Sequence, residues 1–108
     1  MKILNIHKTI TPDGLLQLLG QMLNPLFSKQ RPTEISFISE NIDGAIEITA
    51  PGFYDGFLFR IKIKGKELYI TRSEHYVDDV NSLTVESILN EIFAGLAEDR
   101  KVTLVQEG

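Results

Sequence analysis

Two tight turns within residues 34–71 constrain the fold of this chain more than any other feature of its sequence. Asp43-Gly44 is typical of a type I′ turn and Gly65-Lys66 of a type II′ turn, because both turns need residues that tolerate a positive φ. Four short apolar-rich runs flank these turns and the segment between them. The pattern predicts a four-stranded antiparallel meander.

A two-residue turn also fixes which residues of its hairpin face one another. The first turn predicts that Ile42 faces Ala45, Glu40 faces Glu47 and Ile38 faces Thr49; the second predicts Lys64 opposite Glu67, Lys62 opposite Tyr69 and Arg60 opposite Thr71. Alternation then gives the sheet an apolar inner face, made of Ile35, Phe37, Ser39, Ile46, Ile48, Ala50, Phe59, Ile61, Ile63, Leu68 and Ile70. One covered and one solvated face is typical of an antiparallel sheet.

The predicted register sets two carboxylates, Glu40 and Glu47, directly opposite each other, which is unfavourable. We expect the third strand to lie beside the second and bring Arg60 next to Glu47. A ladder of Glu40, Glu47, Arg60 and Thr71 would then cross the solvated face and partly offset the repulsion.

The first helix is predicted from Pro12 to about Leu23. Thr11 supplies a capping hydroxyl and proline suits the first helical position, while Pro25 and the segment from Ser28 to Pro32 act as a breaker and linker into the sheet. Most of its circumference is apolar: Leu15, Leu16, Leu18, Leu19, Met22 and Leu23. We interpret it as a central helix buried against the sheet, or as one that lends part of its surface to a subunit interface.

The second helix is predicted to begin near Thr84, with Leu83 and Ile88 forming a hydrophobic staple and Arg100-Lys101 suiting its C-terminus. Its apolar arc consists of Val85, Ile88, Leu89, Ile92, Phe93 and Leu96. The whole chain, residues 1–108, is thus predicted to be a single two-layer α+β domain: a four-stranded antiparallel meander with both helices on one face. Weak alternation in residues 1–10, or a run from Val102 to Val105, can add a terminal strand.

Composition excludes several classes of function. The chain of 108 residues has no cysteine, which rules out disulfides, cysteine metal sites and thiol nucleophiles. A formal charge of -4 disfavours nonspecific binding to nucleic acid or anionic lipid. No transmembrane or signal segment is recognised, so we expect a cytoplasmic protein. Phosphate-binding glycine loops, nucleophile elbows and His-Glu-x-x-His pairs are missing from the sequence, and no cofactor is predicted.

Two segments hold the candidate functional residues. The loop Pro51–Gly56 carries adjacent aromatics, Phe53 and Tyr54, of which at least one is expected to be accessible and to anchor a protein partner. The alternative is that Phe53 folds back over the end of the core as a lid. The segment from Glu74 to Asp79 contributes Glu74, Tyr76, Asp78 and Asp79 to the same predicted partner-binding site. His75 among these carboxylates could ligate a divalent ion, but the spacing matches no ordered metal site, so a solvated acidic loop is favoured.

Charge is also segregated along the chain. Residues 57–72 hold five basic residues, Arg60, Lys62, Lys64, Lys66 and Arg72, against one acid, Glu67. Residues 73–99 hold seven acids and no Lys or Arg: Glu74, Asp78, Asp79, Glu86, Glu91, Glu98 and Asp99. We expect the basic row on the solvated sheet face and the acids on the far side, an arrangement that steers association; an ordinary solvated surface is the alternative.

Three functions remain open. The favoured one is a small acidic protein-binding module, such as an inhibitor, immunity-type neutraliser or chaperone of a basic partner. The second is a small-molecule-binding domain or enzyme with a pocket between the sheet and the helices. The third is a structural homo-oligomer, such as a homodimer, suggested by the first helix, which carries no charge after Asp13.

Overall fold

The computed structural model of the protein describes residues 1–96 and the backbone of residues 103–106. Its elements follow in the order β1 (Lys2–Asn5), α1 (Pro12–Gln30), β2 (Ile38–Ile42), β3 (Ala45–Thr49), β4 (Phe57–Lys64), β5 (Glu67–Arg72), a 3-10 turn (Glu74–Tyr76), α2 (Val80–Ala94) and β6 (Thr103–Gln106). The strands form one antiparallel sheet in the order β2-β3-β4-β5-β1-β6. This confirms the α+β fold, with terminal strands extending the meander.

The predicted turns and register are confirmed. Asp43 and Gly44 both have positive φ, at 51° and 89°, as a type I′ turn requires, and Gly65 has φ 59°. All six predicted pairs are present in the two hairpins. The ladder across the solvated face is present too, since Glu47 faces Glu40 on one side and Arg60 on the other.

One core lies between the inner face of the sheet and the two helices. Both helices contribute fully buried side chains to it, including Leu15, Leu19, Leu23 and Phe27 from α1 and Val85, Ile88, Leu89 and Phe93 from α2. The sheet contributes Ile46, Ile48, Phe59, Ile61 and Leu68. The helices therefore cover the same face, as predicted.

The predicted end of the first helix is wrong, because α1 runs through Pro25 to Gln30. A proline inside a helix costs about 3 kcal/mol. Two gains offset that cost: Phe27 is buried against the ring of Phe37 at a centroid distance of 4.7 Å, worth about 1.5–3 kcal/mol. Asn24 also makes two hydrogen bonds to the backbone of Phe37, each worth about 0.5–1.5 kcal/mol.

The predicted start of the second helix is also wrong. α2 begins at Val80, and its N-cap is Asp79, whose side chain accepts a hydrogen bond from the Ser82 amide. Leu83 lies inside the helix and is exposed, so it forms no staple before the first turn. The helix ends at Ala94, and the predicted C-terminal pair Arg100-Lys101 lies outside the described residues, as do Glu98 and Asp99.

Three of the five residues of the basic row lie on the solvated face, while Lys66 lies in the turn between β4 and β5. Arg60, Lys62 and Lys64 are exposed there, but Arg72 pairs with Phe59 across the sheet and so shares the face of the helices. Its guanidinium donates to Glu86 of α2 at 3.0 Å. Arg72 therefore belongs to the contact between the sheet and α2 and not to the basic row on the solvated face.

Candidate functional site

The six predicted partner-binding residues come from two segments that the fold brings together at one end of the sheet. β4 and β5 pair in antiparallel register, with Phe59 opposite Arg72. The loop before β4 and the segment after β5 therefore leave the sheet at the same end. We call the six residues Phe53, Tyr54, Glu74, Tyr76, Asp78 and Asp79 the loop surface.

A type II turn shapes the first segment. The amide of Phe53 donates to the carbonyl of Ala50 at 3.0 Å, and Gly52 has φ 91°. Proline followed by a glycine of positive φ is the sequence this turn prefers. The turn leaves Phe53 with 57% of its surface exposed, while Tyr54 is half-buried. The expectation that at least one of the two aromatics is accessible is confirmed.

Tyr54 ties the loop to the start of α2. Its hydroxyl donates to Asp79 Oδ2 at 2.7 Å and accepts from Asn81 Nδ2 at 3.1 Å. Burial raises the pKa of Tyr54 above its usual value, and the hydrogen bond to the Asp79 carboxylate acts in the same direction, against the opposite influence of Asn81. The hydroxyl thus stays protonated as a donor at neutral pH, which suits a structural tie and not a tyrosinate nucleophile.

Tyr76 makes a second tie between the segments. Its hydroxyl accepts from the Asp55 amide at 2.8 Å and donates to the Asp55 carbonyl at 3.3 Å. Its ring packs edge-to-face on Tyr54 at a centroid distance of 4.8 Å. Aromatic pairs in this geometry contribute about 0.5–1.5 kcal/mol beyond their area burial, so the two loops are held as one unit.

The acids of the loop surface have different environments. Asp79 is partly buried and accepts from both the Ser82 amide and the Tyr54 hydroxyl. Glu74 and Asp78 are exposed, and neither forms an ion pair with a described residue. Their charge is therefore available to a partner, whereas the charge of Asp79 is engaged inside the molecule.

An open groove of about 710 Å³ adjoins the loop surface. It is lined by both loop segments and by the neighbouring ends of β4 and β5: Asp55, Gly56, Phe57, Thr71, Arg72, Ser73, Glu74, His75 and Tyr76. Within the described residues, no group of three or more His, Asp or Glu side chains is arranged to hold a metal ion. The groove is thus a concave surface of mixed polarity whose lining includes Glu74 and Tyr76 of the loop surface.

Sequence reasoning missed a polar cluster between the sheet and α2. Lys2 Nζ lies 3.6 Å from Glu86 Oε2 and donates to Asn90 Oδ1 at 3.1 Å, while Arg72 holds the other oxygen of Glu86. A pocket of about 330 Å³ opens beside these four residues. The signal was present in the sequence, because alternation from Leu68 and Ile70 directs Arg72 to the inner face.

Comparison of the chain with protein-family models, with curated protein sequences and with solved structures gave no match. No helix within the described part of the chain combines the length and the hydrophobicity that crossing a membrane requires.

Proposed function

We propose that this chain is a small acidic protein-binding module, of the kind that inhibits, neutralises or chaperones a basic protein, and that it binds its partner through the loop surface. One observation carries the proposal: an exposed aromatic ring, Phe53, lies on a loop that is tied to the segment bearing Glu74 and Asp78. Aromatic anchors dominate many interfaces, and unpaired acids beside them favour a basic partner.

Preorganisation supports this proposal. A loop that is ordered only on binding loses part of its interaction energy to conformational entropy. Here the hydroxyls of Tyr54 and Tyr76 already join the two segments, so a partner meets a surface that is formed before contact. We therefore expect Phe53 to be the anchor and Tyr54 to act mainly by holding the loop.

The exposed acids of the loop surface indicate which kind of partner would bind. Glu74 and Asp78 project from the loop surface into solvent, and they belong to a segment from residue 73 to residue 96 that contains no Lys or Arg. Such a field speeds association with a basic protein and disfavours acidic ones. The same field and the net charge of -4 argue against nucleic acid as the partner. We propose a cytoplasmic setting, which a chain without cysteine suits.

The test begins by capturing a partner from the native host and measuring binding kinetics at two salt concentrations. The double variant Glu74→Gln, Asp78→Asn should slow association and weaken its salt dependence, because both acids act at long range. Phe53→Ala should raise the dissociation rate by about tenfold with little change in the association rate, because an anchor acts after docking. Asp79 is left intact, since it caps α2.

A matched control removes two exposed acids elsewhere. Glu34→Gln with Glu91→Gln changes the net charge by the same amount but leaves the loop surface unaltered. We expect its salt dependence to change less than that of the loop variant. Unchanged kinetics in both loop variants would remove the loop surface from the interface.

The two other functions have weaker support. The small-molecule alternative has a location, the pocket beside Lys2, Arg72, Glu86 and Asn90. However, the Glu86 carboxylate already pairs with Lys2 and Arg72, so an anionic ligand would have to displace it and leave a partly buried charge unpaired. The homo-oligomer alternative rests on the largely uncharged surface of α1, and light scattering of the purified chain tests it directly.

A further inference from the structure

Among the described residues, strand β2 lies at the edge of the sheet and pairs with β3 alone. In a hairpin closed by a two-residue turn, the pair next to the turn exchanges hydrogen bonds, and hydrogen-bonded pairs then alternate with non-hydrogen-bonded ones. Ile42 and Ala45 are that first pair. Ser39 and Asn41 therefore direct their backbone N–H and C=O groups away from β3, toward the open side of the sheet.

Asn24 of α1 shows independently that this row of groups faces outward. Its side chain accepts from the Phe37 amide at 2.8 Å and donates to the Phe37 carbonyl at 2.9 Å. These are the two bonds that a neighbouring strand would make at this position. Phe37 is two residues before Ser39 and belongs to the same alternation. The side chain of Asn24 thus occupies the edge at Phe37, whereas the outward backbone groups of Ser39 and Asn41 have no strand beside them in the described part of the chain.

The row of charged residues across the solvated face ends, at this edge, in a carboxylate with no cation paired to it in the described part of the chain. Glu47 has Arg60 on one side, with Arg60 Nε 3.8 Å from Glu47 Oε2, and Glu40 on the other. Glu40 is exposed and forms no ion pair with any described residue. Ile38 and Ile42 flank it on the same face with 45% and 40% of their surfaces exposed. Arg60 offsets the repulsion between Glu40 and Glu47 only from the β4 side of Glu47. A cation beside Glu40 would offset it from the open side of β2 as well.

We propose that the β2 edge binds a β-strand of a partner protein in which a basic residue alternates with two apolar ones. The backbone of that strand bonds to Ser39 and Asn41, the recognition mode known as β-augmentation. Its basic side chain lies beside Glu40, and its apolar side chains cover Ile38 and Ile42. In an antiparallel arrangement, the position beside Glu40 is a non-hydrogen-bonded one, where side chains approach most closely.

Charge disfavours a second copy of this chain as the occupant. A symmetric antiparallel pairing that uses Ser39 and Asn41 sets Glu40 against Glu40 of the other copy. Like charges placed directly opposite destabilise a strand pair. This edge is separate from the loop surface, so the inference does not depend on the function proposed for that surface.

The probe for this edge is a capped heptapeptide of sequence Thr-Val-Thr-Lys-Thr-Val-Thr. Its control peptide carries Glu in place of Lys. Binding is measured by fluorescence anisotropy and mapped by NMR on isotope-labelled protein. We expect the Lys peptide to shift the amides of Ser39 and Asn41 and to bind about threefold to tenfold more tightly than the Glu peptide, as one matched instead of one mismatched cross-strand charge pair implies.

Two variants separate the charge contact from the backbone contact. Glu40→Lys should reverse the preference, and its hairpin should remain folded because the new lysine faces Glu47. Ser39→Pro should abolish binding while preserving the fold, since it removes only an outward N–H, as edge-strand prolines do. Phe53→Ala should leave the binding of the peptide unchanged.

Several results would overturn the inference. These are equal affinity for the Lys and Glu peptides, amide shifts confined to regions other than β2, and full binding by Ser39→Pro. A dimer in light scattering that Ser39→Pro converts to a monomer would show that a second copy occupies the edge instead.

Discussion

Asp79→Ala is the substitution that most directly tests how the loop surface is joined to the fold. One oxygen of the Asp79 carboxylate accepts from the Ser82 amide at 2.9 Å and from the Tyr54 hydroxyl at 2.7 Å. Alanine removes both hydrogen bonds at once. The Ser82 amide then loses its cap, and the Tyr54 hydroxyl keeps only its contact with Asn81.

The expected loss follows from these two contacts. Replacing an N-cap aspartate by alanine costs about 0.5–2 kcal/mol, and a hydrogen bond to a charged group contributes about 1.5–3 kcal/mol. Because both contacts share one oxygen, their sum is an upper bound, and we expect a decrease of about 2–3 kcal/mol in the free energy of unfolding. Asp79→Asn should cost about 1 kcal/mol or less, since asparagine caps helices as well as aspartate does.

Urea unfolding followed by circular dichroism measures these differences. A double-mutant cycle with Tyr54→Phe isolates the hydrogen bond, and we expect a coupling of about 1 kcal/mol. Asp78→Ala is the matched control, because Asp78 is an exposed neighbour, and such surface changes stay within about 0.5 kcal/mol. If Asp79→Ala costs no more than Asp78→Ala, Asp79 neither caps α2 nor holds Tyr54, and the account of the loop surface as a rigid unit is refuted.

Two further predictions concern the core and alkaline pH. Ile61→Ala and Ile92→Ala should each lower the free energy of unfolding by about 2–5 kcal/mol, since both side chains are buried; losses below about 0.5 kcal/mol at both positions would contradict the assignment of the inner face. The pKa of Tyr54 is raised in the folded state, so its contribution to stability is complete below the unfolded pKa of 10.0 and is lost as pH rises through the folded pKa. The melting temperature of the wild type should therefore fall more steeply above about pH 10 than that of Tyr54→Phe, and parallel profiles would contradict the shift.

The sheet could be predicted from the sequence because its register depends on local rules. Asp43-Gly44 and Gly65-Lys66 fix turn geometry through backbone dihedrals alone, and each turn then determines every pair of its hairpin. The ladder through Arg60 needed one further assumption, that consecutive strands are neighbours, which usually holds.

Helix limits depend on contacts that local rules do not include. Pro25 is a reliable breaker when only neighbouring residues are considered, but burial of Phe27 carries α1 past it. The start of α2 had several competing caps, since Asp78, Asp79 and Thr84 all suit an N-cap position. Tyr54, from a distant segment, bonds to Asp79 and so adds to the stability of that cap.

The arrangement of the loop surface depends both on local rules and on contacts between distant segments. Because the register of β4 and β5 is local, it already implies that the loop before β4 and the segment after β5 meet at one end of the sheet. The register does not determine which aromatic of the loop faces inward. Of the two aromatics, only Tyr54 carries a hydroxyl. That hydroxyl donates to the carboxylate of Asp79 while the ring packs against Tyr76, so its polar atom is hydrogen-bonded when the ring turns inward. Because Tyr54 occupies the inward position, Phe53 is the aromatic of the loop that is left exposed, at 57% of its surface. The hydrogen bonding of Tyr54 thus decides which of the two rings faces solvent.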